Sequence, residues 1–441
     1  MAHPSHSQRL QTLLERALAD VPPGRCVWVA LSGGMDSALL LTLAAELCRA
    51  RGRPLRALHI NHGLQAAAAD FEHRCRALCR ELGVPLTVAR VAVDALGRGV
   101  EGAARKARYA AFVEQVPAGD TLMLAQHRRD QAETWLLAAM RGSGVRGLGA
   151  MPERRVFHGI TLARPWLEAE HGALADAARA LAGEGRLDWC DDPTNADTRF
   201  ERNYLRHRVL PALKARWPHA ERSLAAAALH MQDADALLEA YAAEELATLQ
   251  VGAEQLDAAA LAGRSRGRQR LLVRTFCRQQ GLATPPQKRL ETLLAQLGAA
   301  ADAQAHVTWP GGCARLWRGR LYLLPEEHQA AAPDWRSAWD GCAPLATPLG
   351  EVDVQLKAGA EGAALPLIAS WRRGGEVIRL AGRGRRDLKR LLAEAGVPPW
   401  ERHTIIVVWA EEACVAAIKA PDTLLYQAAG WRFAPARQAA R

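Results

Sequence analysis

The sequence contains no long apolar run. Its nearest candidate, Ala38 to Ala45, falls well short of the roughly 18 residues a membrane span needs. The N-terminus, Met1-Ala-His-Pro-Ser-His-Ser-Gln-Arg9, lacks the apolar core of a signal peptide. Together these absences predict a cytoplasmic protein with no membrane partner. Aromatic residues make up only 5%, although 13 of them are Trp. The nine cysteines are an odd number, scattered mostly singly through apolar stretches, and no C-x-x-C pair occurs. That argues against a disulfide framework and for reduced, buried thiols. His73, Cys75 and Cys79 share a helical pattern, but tetrahedral zinc needs a fourth ligand and usually a second close pair, so packed thiols are expected. There is no repeat at a fixed period and no long low-complexity tract.

What is present is a 441-residue chain with 49% hydrophobic and 24% charged residues, the composition of a globular protein of about three domains. Residues 8 to about 142 alternate short apolar runs with longer amphipathic ones, the pattern of parallel strands joined by helices. Strands are expected at Cys26–Leu31, Leu55–Asn61, Pro85–Val93, Thr121–Gln126 and Ile160–Pro165. Helices are expected at Ser37–Arg51, Ala67–Leu82, Glu101–Val116 and Ala173–Ala182. This is an α/β, doubly wound, mostly parallel sheet, predicted to fill residues 1–217 and to carry its ligand at the carboxyl ends of the strands. From Pro218 the texture turns Ala/Leu/Glu-rich with no strand signal, which predicts an all-α domain over 218–330. Short β-like runs such as Val352–Leu356 and Thr404–Trp409, with a helix at Arg386–Ala395, predict a small α+β domain over 331–441.

The first predicted strand runs into Ser32-Gly33-Gly34-Met35-Asp36-Ser37 and then a helix. Two glycines let backbone approach a phosphate, serines add hydroxyls, and the helix presents free N–H groups at its positive end. The loop is no Walker motif, because Gly-Lys-Ser/Thr is missing, and no dinucleotide fingerprint, because G-x-G-x-x-G is missing. Asp36 repels phosphate unless a divalent ion lies between, which points to Mg²⁺ with Asp36 as its ligand. His62 and His127 each follow a predicted strand on the same sheet edge. Asp130 and Glu133 share one helix face, where they suit a cation or an amine, or simply the helix dipole.

The Ser-Gly-Gly-Met-Asp-Ser loop resembles the signature of the PP-loop ATP pyrophosphatases, which adenylate a substrate and release pyrophosphate. Further motifs follow in order: Asn61-His-Gly-Leu, Asp130-Gln-Ala-Glu-Thr, Arg141-Gly-Ser-Gly with Gly147-Leu, and Asp192-Pro-Thr-Asn with Arg202-Asn-Tyr-Leu-Arg206 and Pro211. With Arg373-Gly-Gly-Glu, Leu388-Lys389 and Val397-Pro-Pro-Trp400, they resemble the tRNA(Ile)-lysidine synthetase family. The resemblance implies ATP-dependent joining of free L-lysine to C2 of the wobble cytidine of a CAU-anticodon isoleucine tRNA, through an adenylated tRNA. It implies ATP contact by Ser32 to Ser37 and His62, with Asp36 and His127 catalytic, the latter through nucleotide contact or proton handling. Lysine falls to Asp130, Glu133 and Arg105, the arginine pairing with its carboxylate or with a phosphate. The family usually has a second aspartate where this chain has Arg129, whose role stays open. A PP-loop tRNA thiolase or another ATP-pyrophosphatase ligase is the alternative enzyme reading, the thiolase disfavoured by the missing C-x-x-C. A homodimer is left open.

The charge is uneven. Residues 262–289 carry eight basic and no acidic side chains, and residues 371–390 carry eight basic and two acidic ones. Segments of +8 and +6 against a total of +10 leave the remainder at −4. Such clusters suit a phosphate backbone. Arg202, Asn203, Arg206, Arg266, Arg268, Arg270, Arg373 and Lys389 are the candidate tRNA contacts.

Overall fold

The computed structural model describes residues 6–62, 68–92, 100–298, 305–326, 334–359 and 366–435. Gly63 and Leu64 of the Asn-His-Gly-Leu motif lie outside them, as do Ala67, Val93 and the Pro/Ala-rich stretch at 330–333. The chain forms two compact units, Met1–Glu239 and Ala240–Arg441.

The first unit is built on strands β1 (Val27–Ala30), β2 (Leu55–Asn61), β3 (Leu86–Arg90), β4 (Thr121–Met123), β5 (Arg154–Phe157) and β6 (Ile160–Ala163). Their order is β3-β2-β1-β4-β6-β5, with only the edge strand β5 antiparallel. The order reverses beside β1, the switch point at which doubly wound sheets bind ligands. Helices α1 (His6–Ala19), α2 (Met35–Ala50), α3 (Ala68–Leu82), α4 (Val100–Gln115), α5 (Arg128–Met140), α6 (Val145–Leu148) and α7 (His171–Gly183) complete it. The period of two in β1 explains its burial on both faces: Val27 and Val29 enter one hydrophobic cluster and Trp28 another. Trp28 keeps its indole N–H satisfied by donating to Asp120 Oδ2 at 3.0 Å. The expected helix at Ser37 begins two residues earlier, which puts Asp36 in the first turn. Beyond the sheet come α8 (Glu201–Tyr204), a π-helical turn (Leu205–Val209), α9 (Leu210–Arg216) and the 30-residue α10 (Ala220–Leu249).

The second unit corrects the all-helical reading of the middle segment. Helices α11 (Ala258–Ala262), α12 (Arg266–Gln279) and α13 (Gln287–Gln296) pack with a five-stranded antiparallel sheet formed by residues 250–252, 255–257, 306–309, 312–317 and 320–324. Its strands are three to six residues long and flanked by Ala/Leu-rich helix, so composition averaged over the segment hides them. One hairpin turns on Arg318 and Gly319, both at positive φ, a conformation that favours two-residue turns. The remainder holds a seven-stranded mixed sheet, two two-stranded sheets and, among the described residues, one α-helix, α14 (Leu388–Glu394), over a continuous hydrophobic core, in keeping with the α+β expectation. Among the described residues no helix is long and apolar enough to cross a membrane. All nine cysteines are free. Burial pushes the Cys75 and Cys79 thiols up to about 12, and Cys75 Sγ lies 3.4 Å from His59 Nδ1.

Candidate functional site

The loop after β1 is held by its own serines. Ser37 Oγ accepts the Ser32 N–H at 3.1 Å, lies 2.9 Å from Ser32 Oγ and donates to the Gly34 carbonyl at 3.0 Å. These hydroxyls shape the loop, Ser32 Oγ also accepting the Gly34 N–H at 3.3 Å. Gly33 has φ +93°, and a Cβ there would lie 2.9 Å from the Phe71 ring, so only glycine fits. Gly34 caps α2 with no side-chain hydrogen bond, so the first turn keeps its orphan donors for an anion.

The loop opens on a cavity of about 1210 Å³. Ser32, Gly34, Met35, Asp36 and Ser37 line it, as do His62 at the end of β2 and Arg105 on α4. Asp130 on α5 and Arg202, Asn203 and Arg206 near α8 line its other side. Gly33, His127 and Glu133 are not in its wall.

His127 caps α5. Its Nδ1 accepts the Arg129 N–H at 3.2 Å, and its own N–H donates to Asp130 Oδ2 at 3.0 Å, a reciprocal capping box. With Nδ1 an acceptor, the ring proton sits on Nε2, which faces Asp130 Oδ2 at 3.5 Å and Asp36 Oδ2 at 3.7 Å. Burial opposes charge on this imidazole, but Asp130 and Asp36 outweigh it and raise its pKa. Burial likewise opposes ionisation of Asp36, and His127 outweighs it, holding the carboxyl below its usual range. His171, unforeseen from the sequence, sits with its ring centroid 5.1 Å from that of His127. Burial and the nearby Arg129 push it down to about 4, so it is neutral.

Asp36, His127 and His171 bring ligand atoms within 4.8 Å of one another. The proton on His127 Nε2 disqualifies that nitrogen as a metal donor. Asp36 Oδ1, by contrast, is buried without a protein partner, and an anionic oxygen so placed fits a hard cation such as Mg²⁺.

Glu133 is fully buried beneath this surface. Arg206 grips it, Nε to Oε1 at 2.8 Å and Nη2 to Oε2 at 3.0 Å, and reaches Asp130 Oδ1 at 3.4 Å. Burial, helped by the nearby Asp130 carboxylate, raises the Glu133 pKa against the pull of Arg206 and Arg202. The π-helical turn that contains Arg206 aims it there; such turns recur at functional sites. Arg202 donates to Thr134 Oγ1 at 3.2 Å. Asn203 donates to the carbonyls of Thr194 and Asp197, pinning that loop against α8. Arg129 Nε lies 3.6 Å from Glu221 Oε1.

In the second unit the basic segment is less free than its run of residues suggests. Glu245 pairs with Arg264 and Arg268, and Glu291 pairs with Arg266 and Arg270. Both acids lie outside the 262–289 window. Arg373 pairs with Asp334, while Lys389 is exposed. On the hairpin Val377–Leu380/Gly384–Asp387, Arg379 and Arg385 stand directly opposite each other. Like charges so placed repel, an arrangement that a polyanion relieves.

Residues 4–213 match a family model described as "PP-loop domain", residues 256–322 one described as "TilS substrate binding domain", and residues 367–430 one described as "TilS substrate C-terminal domain". A tRNA(Ile)-lysidine synthase from Pseudomonas aeruginosa is 40% identical over 443 residues, covering 96% of each chain. One from Xanthomonas axonopodis pv. citri is 42% identical over 409 residues, covering 91% of this chain and 90% of that one. One from Alkalilimnicola ehrlichii is 41% identical over 412 residues, covering 91% of each.

Proposed function

The chain belongs to the tRNA(Ile)-lysidine synthase family, and from that premise we propose that it joins L-lysine to C2 of the wobble cytidine of the CAU-anticodon isoleucine tRNA at the expense of ATP. One observation carries the reading: an uncapped helix N-terminus, an unpartnered Asp36 oxygen, the Asp130 carboxylate and four arginines meet in a single cavity.

In the first step the C2 oxygen of the cytidine attacks the α-phosphorus of ATP and pyrophosphate leaves. The Met35–Ser37 backbone receives the departing phosphates, because the first-turn N–H groups of α2 are preorganised donors needing no rearrangement as charge develops. Asp36 would hold Mg²⁺ through Oδ1, and when bound the ion neutralises phosphate charge. In the second step the lysine ε-amine attacks C2, loses a proton and displaces AMP. Asp130 offers the ammonium a carboxylate on the cavity wall, and Arg105 offers the lysine carboxylate a guanidinium. Glu133 contributes by fixing Arg206 rather than by touching lysine. His127 acts as a positioning residue, holding Asp36 and Asp130 apart and oriented. All these groups come from one unit, so a homodimer is not needed to complete the site. A tRNA substrate also accords with a cytoplasmic location.

The direct test supplies ATP, Mg²⁺, radiolabelled lysine and either CAU isoleucine tRNA or methionine tRNA. Label is expected in the isoleucine tRNA alone; no label there, with an active relative as control, contradicts the reading.

Outside the catalytic unit, we assign the basic surfaces to the tRNA backbone. Each phosphate that is no longer neutralised should lower the slope of log affinity against log salt by about 0.9. Neutralising Arg379 and Arg385 to Gln is expected to weaken binding and flatten that slope more than neutralising Arg266, Arg268 and Arg270, whose charges Glu245 and Glu291 already offset. Equal slopes for both variants and the parent, from filter binding between low and moderate salt, would return these residues to solvated surface.

A further inference from the structure

The mouth of the cavity holds an aromatic residue that the chemistry above does not use. Phe200 immediately precedes α8, lines the cavity, and is nevertheless 38% exposed. Tyr204 lies one turn on, 52% exposed, and its N–H donates to the Phe200 carbonyl at 2.9 Å, so the two residues follow one another along a single helical face. Neither ring stacks on another aromatic side chain among the described residues. Leaving two large rings in water is unfavourable, and a chain that retains them at a site mouth has a use for their faces.

The surroundings identify the occupant. Arg208 is exposed beside the two rings, as is Arg199, which pairs with Asp197, and Arg202 and Arg206 line the cavity next to them. Aromatic faces interleaved with arginines are how single-stranded nucleic acid is held: cations take the backbone and rings take the bases. The segment is also rigidly mounted, since buried Asn203 ties α8 to the Thr194 and Asp197 carbonyls and His207 contacts the Asn195 carbonyl at 2.7 Å. The reaction requires such a platform. A cytidine stacked in an anticodon loop cannot bring C2 into a cavity, so it must leave its stack and recover stacking elsewhere.

We propose that Phe200 is the stacking platform for the extruded cytidine of the substrate tRNA, with Tyr204 beneath the adjoining nucleotide. This rests on the activity proposed above.

The test uses the full-length enzyme and isoleucine tRNA carrying pyrrolocytidine at the wobble position, whose fluorescence falls when the base stacks. Wild type and Phe200→Tyr are expected to quench it. Phe200→Ala is expected to lose the quenching and to lower kcat/KM for unlabelled tRNA by about 5- to 150-fold, with MgATP affinity and Tm unchanged. Tyr204→Ala should lower kcat/KM less while keeping the wobble-base quench. Quenching that survives in Phe200→Ala overturns the proposal. So does a fall in MgATP affinity that accounts for the loss of turnover, which would put adenine on the ring. If wild type quenches the probe but makes no lysidine, the proposed activity fails while the platform stands.

Discussion

Asp36→Ala is expected to abolish pyrophosphate release, by about 10³-fold or more, while leaving tRNA affinity within about twofold. The magnitude reflects what the substitution removes: the carboxylate that would hold Mg²⁺, and losing one such source of charge stabilisation on departing phosphates inside a cavity costs on the order of 10²- to 10³-fold or more. The selectivity follows from position. Asp36 sits in the first turn of α2, its Oδ1 buried and unpartnered, and of the candidate RNA-binding arginines only Arg202 and Arg206 share its cavity. Asp36→Asn should fail nearly as badly, because the amide keeps the shape and loses the charge. Pyrophosphate release measured with and without tRNA, beside filter binding, separates the outcomes. Loss of tRNA binding with pyrophosphate release intact would mean that the loop had been misread.

Arg206→Ala is expected to cost stability as well as activity. It strands the Glu133 carboxylate, which has no exposed surface, with Arg202 only at 4.0 Å. Removing one partner of a buried pair costs about 3–5 kcal/mol, a fall in Tm on the order of 10 °C for a unit of this size. The pH dependence carries a sign. Burial already raises the Glu133 pKa, and without Arg206 it rises further, so the neutral form is the one the fold tolerates. A carboxyl whose folded pKa lies above its unfolded value contributes stability at low pH and loses it as pH rises from the ordinary carboxyl range. The Tm deficit of Arg206→Ala should therefore widen from pH 5 to pH 8. Glu133→Gln combined with Arg206→Gln should recover much of the lost Tm without restoring activity. An unchanged Tm in Arg206→Ala would show that the pair does not hold the cavity floor.

The contrast between Asp36 and Glu133 marks what a sequence conveys about such a site. Ser32 to Ser37 were legible because strand, loop and helix are consecutive, and their chemistry is local. Asp130 and Glu133 were legible as one helix face, but not that Arg206, 73 residues later, would take the second carboxylate for itself. His171 carried no local signal, since its meaning depends on a ring that it meets only in the folded chain. The same long reach explains Arg264 to Arg270: a window of charge looked unopposed, and Glu245 and Glu291, 19 to 25 residues away, neutralise half of it. The middle sheet was hidden for a different reason. Strands such as Gln250–Gly252 and Gln255–Asp257 are too short to show a period; the second becomes a strand by pairing with 320–324, far along the chain, and the first by pairing with the second.

Central to the proposed mechanism is that ATP activates the tRNA and not the amino acid. Incubating the enzyme with α-labelled ATP, Mg²⁺ and isoleucine tRNA, without lysine, should release pyrophosphate and leave labelled AMP on the tRNA. Adding unlabelled lysine should then discharge that AMP with formation of lysidine. Labelled AMP on lysine instead, formed without tRNA, would contradict the mechanism.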